Sequence, residues 1–348
     1  MRARSVLTVM AVIVTAGFAI LPAPAAGGTQ VGYYDMCSGA GNASQVASIT
    51  AAGGTAVNIT DPTAAQLAPV DVFYVQNCNN GAYGAEYVSR LADIAAWVGG
   101  GGVLIIHDRF VANAETILPG GAGFNIVRDF TQATDINIRT AGTRVTSGPG
   151  GIVTNTNLDG GNFSNHGWGV EGSLPANGTF ILSATTPTNS TTFCYPRVLG
   201  AVVYSTIPLD FYLAGAGTQP NFRTIYAPNV VRYGIEGACA LIETTLTARP
   251  AIADLVPGAD VFLTLSAVLT ETATGNPVAG ETVDFSIGAT VVCSGTTDAA
   301  GVAACGGPIE LLGSLTGGGF SAAFGGSSTH AESSDTGNNV TVNGIEVV

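Results

Sequence analysis

Apolar and polar positions follow three regimes along this chain. From residue 30 to about 110, short apolar runs alternate with segments of helical spacing. Residues 30–34 read as a strand ending in Asp35-Met36-Cys37-Ser38-Gly39-Ala40-Gly41-Asn42. Residues 43–52 predict a helix, and Gly53-Gly54 stops it because glycine tolerates the left-handed C-terminal turn. Residues 55–59 and 70–75 predict two more strands. Over 83–98, Tyr87, Leu91, Ile94, Ala95 and Val98 recur at helical spacing before Gly99-Gly100-Gly101-Gly102. Residues 103–106 form a wholly apolar fourth strand. Continuous apolar strands between helices indicate a parallel sheet covered on both faces.

Glycine, threonine, asparagine and proline dominate from about 120 to 195, and helical periodicity fades. This region reads as a β-rich insertion. Residues 200–206 return to a buried strand, 208–212 follow it, and 225–234 read as a helix. Beyond residue 244 the pattern changes to period two, seen in 260–269 and 283–287, with further strands at 290–293 and 339–342. Short strands at this spacing with Gly/Pro turns predict a β-sandwich. The expected fold class is α/β, a flavodoxin-like parallel sheet with helices on both faces over 30–245, followed by an all-β unit over 246–348.

Such parallel sheets place function at the carboxyl ends of their strands. Here those ends are 35–42, 76–81 and 107–110. The first and third strands of this arrangement are neighbours, which sets Cys37 beside Cys78. Cys293 and Cys305 flank Thr296-Thr297-Asp298-Ala299-Ala300-Gly301 and could staple a hairpin, leaving Cys194 with Cys239. Six cysteines suit three disulfides in an exported chain.

The N-terminus predicts that export. Arg2 and Arg4 precede the apolar run 6–21, and Pro22-Ala23-Pro24-Ala25-Ala26 offers a small-residue cleavage site. The expected signal peptide is 1–26. No later run is long enough for a membrane span.

Two stretches resemble known families. Trp97-Val98-Gly99-Gly100-Gly101-Gly102-Val103-Leu104-Ile105-Ile106-His107 resembles ThuA-like proteins of the class I glutamine amidotransferase-like, flavodoxin-related group. The resemblance implies the α/β fold and, by analogy, carbohydrate processing. The amidotransferase reaction needs a nucleophilic cysteine on a turn after a central strand. This chain has His107-Asp108-Arg109 there, and Cys37-Ser38-Gly39 follows the first strand instead. Gly275-Asn276-Pro277-Val278-Ala279-Gly280-Glu281-Thr282-Val283-Asp284-Phe285 resembles bacterial immunoglobulin-like domains of the invasin/intimin kind, as does Thr296-Thr297-Asp298-Ala299-Ala300-Gly301-Val302-Ala303. That likeness implies a spacer or adhesion module over 246–348.

Candidate chemistry is sparse. His107, Asp108 and Arg109 at a strand tip could bind a polar ligand or exchange protons; equally, Asp108 and Arg109 could form an ion pair. His166, Trp168 and Glu171 share a glycine-rich loop that could line a sugar-binding surface. Asp159-Gly160-Gly161-Asn162 reads as a turn, because it lacks the spacing of a calcium loop. The cysteines lack zinc spacing, so no metal or cofactor is expected. Glycosylation triplets start at Asn42, Asn58, Asn162, Asn177, Asn189 and Asn339.

Charge narrows the partners. The 348 residues carry 11 cations, all arginine, against 24 acids, for a formal charge of −13. Removal of the signal takes Arg2 and Arg4 with it and leaves −15. A nucleic-acid partner is excluded, because nothing could neutralise a run of phosphates. Without lysine there is no phosphate loop of the G-x-x-x-x-G-K-[ST] type and no Schiff base. The expectation is an exported, non-catalytic protein meeting a cell-surface glycan or protein. The alternative is a carbohydrate-processing enzyme working at 107–109.

Overall fold

The apolar runs of the first regime become the centre of one ten-stranded sheet. The computed structural model describes residues 28–37, 43–254, 262–308, 319–327, 329–337, 340–342 and 345–346. The signal segment 1–26 and the triplets at Asn42 and Asn339 lie outside these residues. The N-terminal part runs β1 (Gln30–Asp35), α1 (Ala43–Ala51), β2 (Thr55–Asn58), α2 (Ala64–Leu67), β3 (Val72–Asn77), α3 (Ala85–Ser89), α4 (Leu91–Gly99) and β4 (Val103–Asp108). Then come β5 (Ile126–Arg128), β6 (Asn137–Ile138), β7 (Ser147–Gly148), β8 (Gly151–Ile152), β9 (Gly167–Val170), β10 (Thr179–Ser183), β11 (Asn189–Arg197) and β12 (Gly200–Ser205). Helices α5 (Leu209–Leu213) and α6 (Ala227–Ile235) close it.

The main sheet order is β2-β1-β3-β4-β12-β11-β10-β6, with β9 on β11 and β5 on β9. The first five strands are mutually parallel, and β11, β10 and β6 add antiparallel pairs. The sheet is therefore mixed. Within residues 120–195, the region read as a β-rich insertion, β9, β10 and β11 extend this same sheet. The polar run Ser190–Thr192 of β11 still buries: ladder bonds satisfy its backbone, Ser190 Oγ donates to Leu182 O at 3.2 Å and Thr192 Oγ1 lies 2.9 Å from Ser205 Oγ, while Thr191 Oγ1 has no partner.

Alternation divides each central strand between two cores. Val103 and Ile105 of β4 pack with Val230 and Val231 of α6, whereas Leu104 and Ile106 pack with Ile94 and Val98 of α4. Each such fully buried aliphatic side chain contributes about 1.5–3 kcal/mol. The helix expected over 83–98 breaks at Arg90, whose φ of −105° and ψ of 8° leave the helical region. That break lets the Arg90 guanidinium pair with Asp61 at 2.7 Å.

The C-terminal part comprises β13 (Thr244–Ala248), β14 (Ala251–Asp254), β15 (Phe262–Glu271), β16 (Thr282–Ile287), β17 (Thr290–Thr296), β18 (Val302–Pro308), β19 (Phe320–Phe324), β20 (Ser333–Gly337), β21 (Val340–Val342) and β22 (Ile345–Glu346). Two mostly antiparallel sheets form, β17-β16-β19-β20 and β13-β15-β14-β21-β22 with β18 on β15. Leu265, Leu269, Phe285, Ala303 and Phe324 contribute to one shared core, so the sheets pack face to face.

Disulfides join Cys37 to Cys78, Cys194 to Cys239 and Cys293 to Cys305. The first bridges the ends of β1 and β3, which are paired neighbours. The second ties the chain beyond α6 to the buried strand β11. The third is no hairpin staple. Cys293 lies on β17, which pairs with β16, and Cys305 lies on β18, which pairs with β15. It therefore links the two sheets.

Candidate functional site

One polar row crosses the carboxyl ends of the central strands. The register aligns Asp35 with Gln76, Gln76 with His107, His107 with Ser205, and Ser205 with Thr192. The first strand ends in a turn because Asp35 Oδ1 accepts from Cys37 N at 2.8 Å. Beneath the row, on the α6 side, His107 Nε2 lies 3.1 Å from Tyr226 Oη. Tyr226 donates to Ser205 Oγ at 3.1 Å, so the histidine donates from Nε2 and its Nδ1 is left as a bare lone pair. Nδ1 has no hydrogen-bond partner, nor do Tyr74 Oη and both polar atoms of Gln76. Burial pushes the His107 imidazole down to about 3. It is a neutral core histidine at physiological pH.

Asp108 points the other way. Its carboxylate is fully buried and accepts from Asn77 Nδ2 at 3.0 Å, Tyr83 Oη at 2.8 Å, Tyr204 Oη at 2.9 Å and Phe110 N at 2.8 Å. Val111 N supplies a further backbone bond. Burial raises the Asp108 carboxyl, opposed by these donors. The loop it holds includes Val111 at φ 66°, a conformation unfavourable for a β-branched residue. Asp108 thus orders the loop after β4, and its acceptor capacity is spent there.

Arg109 returns to the first face. Its Nη1 pairs with Asp210 Oδ2 at 2.9 Å, and its guanidinium stacks 5.3 Å from the Phe211 ring centre. Burial raises the Asp210 carboxyl to about 6, with Arg109 opposing. The Arg109 carbonyl accepts from His166 Nδ1 at 2.6 Å, which leaves Nε2 as an acceptor. Burial pushes the His166 imidazole down to about 4. His166 is placed by Gly167, whose φ of +144° favours glycine and where a Cβ would strike the Val127 carbonyl.

Arg109 and His166 line one small cavity of about 230 Å³, together with Asn162, Phe163, Pro208 and Phe211. Phe130 adjoins it, its ring 5.1 Å from His166 and 5.3 Å from Phe163. Phe130 and Phe163 are exposed. The other loop candidates do not converge on this cavity. Trp168 is buried in β9, opposite Val127. Glu171 pairs with Arg139 at 3.0 Å. Phe130 and Phe163 lie in irregular segments and Phe211 in the short helix α5, so none of the three carries a periodic signal in the sequence.

Among the described residues, the single cluster of ligand-type groups is Asp35, Cys37 and Cys78. Both sulfurs are joined in the disulfide and offer no thiolate. Asp159 Oδ1 accepts from Ile136 N at 2.8 Å, so the 159–162 turn uses its carboxylate for the chain itself. No helix among the described residues is long and apolar enough to cross a membrane. No protein-family model matches this chain, and no curated protein matches it.

Proposed function

We propose that this is an exported, non-catalytic extracellular or surface-associated protein. Its α/β part binds a cell-surface glycan or protein at the Arg109–His166 edge, and its C-terminal part is an immunoglobulin-like spacer or adhesion module. The separation of His107 from Asp108 by the sheet carries this reading. An acid/base pair must reach one substrate, and these two groups serve different cores. Three disulfides and the lack of a spanning helix among the described residues fit an extracellular location. The order β2-β1-β3-β4-β12 supports the flavodoxin-related likeness, and the two packed sheets support the immunoglobulin-like one.

The competing reading is a carbohydrate-processing enzyme of ThuA-like type. Asp210 favours it, as a carboxyl raised to about 6 beside Arg109 at the same sheet edge. One experiment separates the two. The exported chain is incubated with cells, a glycan panel and chromogenic glycosides. Saturable binding without turnover supports the binding protein. Turnover abolished by His107→Ala or Asp210→Asn establishes the enzyme.

A further inference from the structure

Arg128 is the cation of this edge with no carboxylate partner. The described salt bridges engage Arg90, Arg109, Arg139, Arg144 and Arg232, and none engages Arg128. Its guanidinium stacks 5.4 Å from the Phe110 ring centre and 5.2 Å from that of Phe130. Nη1 donates to the carbonyls of Asn80, at 3.0 Å, and Phe110, and Nη2 donates to Asn80 Oδ1 at 3.0 Å. All these acceptors are neutral, so they fix the group without cancelling its charge. Its chain neighbour Asp129 uses Oδ1 to accept from Thr131 N and Oγ1, each at 2.6 Å. No described hydrogen bond uses the side of the guanidinium formed by Nε–H and the second Nη2–H. That edge is a fork matched to a carboxylate.

Phe130 lies between this fork and His166, in contact with both. The surface therefore offers a fixed cationic fork, two exposed aromatic rings at Phe130 and Phe163, and a neutral imidazole with a free acceptor. An aromatic face suits the apolar face of a sugar ring, and the imidazole Nε2 suits a hydroxyl donor. We propose that this surface binds a carboxylate-bearing sugar, its carboxylate on Arg128, its ring on Phe130 or Phe163 and a hydroxyl on His166 Nε2. This rests on the binding reading above and names the ligand class. The acidic chain, at a formal −13, disfavours a polyanion, whose successive charges would meet no further unpaired cations here. A single terminal acid is the form that fits.

The test titrates the exported chain with matched oligosaccharides ending in glucuronate, sialic acid or glucose, and with the methyl ester of the glucuronate form. At least tenfold preference for an acid over its neutral counterpart is expected. Arg128→Gln should remove that preference, Arg128→Lys should keep part of it, and Phe163→Ala should weaken all binding. Equal affinity for acid and ester overturns the proposal, and this comparison needs no variant. Saturable binding of neutral glycans or of cells without acid preference leaves the binding reading intact while this one falls. A chain that binds no surface or glycan sinks both.

Discussion

His107 and Asp108 are consecutive residues that face opposite sides of one sheet. His107 bonds Tyr226, the residue just before α6, at 3.1 Å, and Asp108 bonds Tyr83 at 2.8 Å on the α4 side. Period-two alternation makes this unavoidable in a strand. A motif that looks like an acid/base pair in the sequence is split between two cores.

Asp108→Asn should destabilise the fold by about 2–4 kcal/mol without changing its volume, because an amide nitrogen would meet groups that now donate. Urea unfolding of the variant checks this. A loss below about 0.5 kcal/mol would contradict the role given to the carboxylate in ordering the loop.

Acid should weaken the fold through its histidines. His107 and His166 titrate at about 3 and about 4 when folded, against about 6.5 unfolded. Below pH 6.5 the unfolded chain binds more protons, so their stability contribution is present above that pH and is lost on acidification. Asp210 works in the opposite sense. Its folded value of about 6 exceeds the unfolded value of about 3.9, so it adds stability as pH falls from 6 to 4. Asp108 and Asp159, also raised by burial, act in the same sense as Asp210, so a comparison with a histidine variant isolates the histidine contribution. Between pH 7 and 4, acidification should lower the unfolding free energy of the wild type relative to that of His107→Gln. Equal slopes would show that His107 is not buried and neutral.

Removing the buried bridge by Cys194→Ala with Cys239→Ala should cost about 2–5 kcal/mol. It frees the chain beyond α6 from β11 and leaves a void beside β11. Removing Cys293–Cys305, which closes a separation of 12 residues, should cost less, since shorter loops lose less unfolded-state entropy. Thermal unfolding under non-reducing conditions ranks the two pairs. The reverse order would contradict the loop argument.

Much of the sheet was legible because β1, β3, β4 and β12 are apolar runs bounded by turns. The antiparallel extension is not, because Ser190, Thr191 and Thr192 of β11 are polar yet buried, and only the fold brings Ser190 Oγ and Thr192 Oγ1 their partners, Leu182 O and Ser205 Oγ. The corner from β17 to β18 looks like a hairpin in the sequence because a turn signal fixes a reversal and does not fix which sheet receives the next strand. Among candidate residues, Arg109 and His166 meet through a 2.6 Å bond between residues 57 apart in sequence. No local spacing encodes that contact, nor the aromatic surround of Phe130 and Phe163.

We propose that function resides in the Arg109–His166 edge and does not depend on His107 with Asp108. Parallel binding and turnover measurements on the wild type, Phe163→Ala and His107→Gln test it most directly, with folding monitored by circular dichroism. The expected result is at least a tenfold loss of cell-surface or glycan binding in Phe163→Ala, wild-type affinity in folded His107→Gln, and no turnover in any of the three. Turnover of a glycoside by the wild type that vanishes in folded His107→Gln would contradict it.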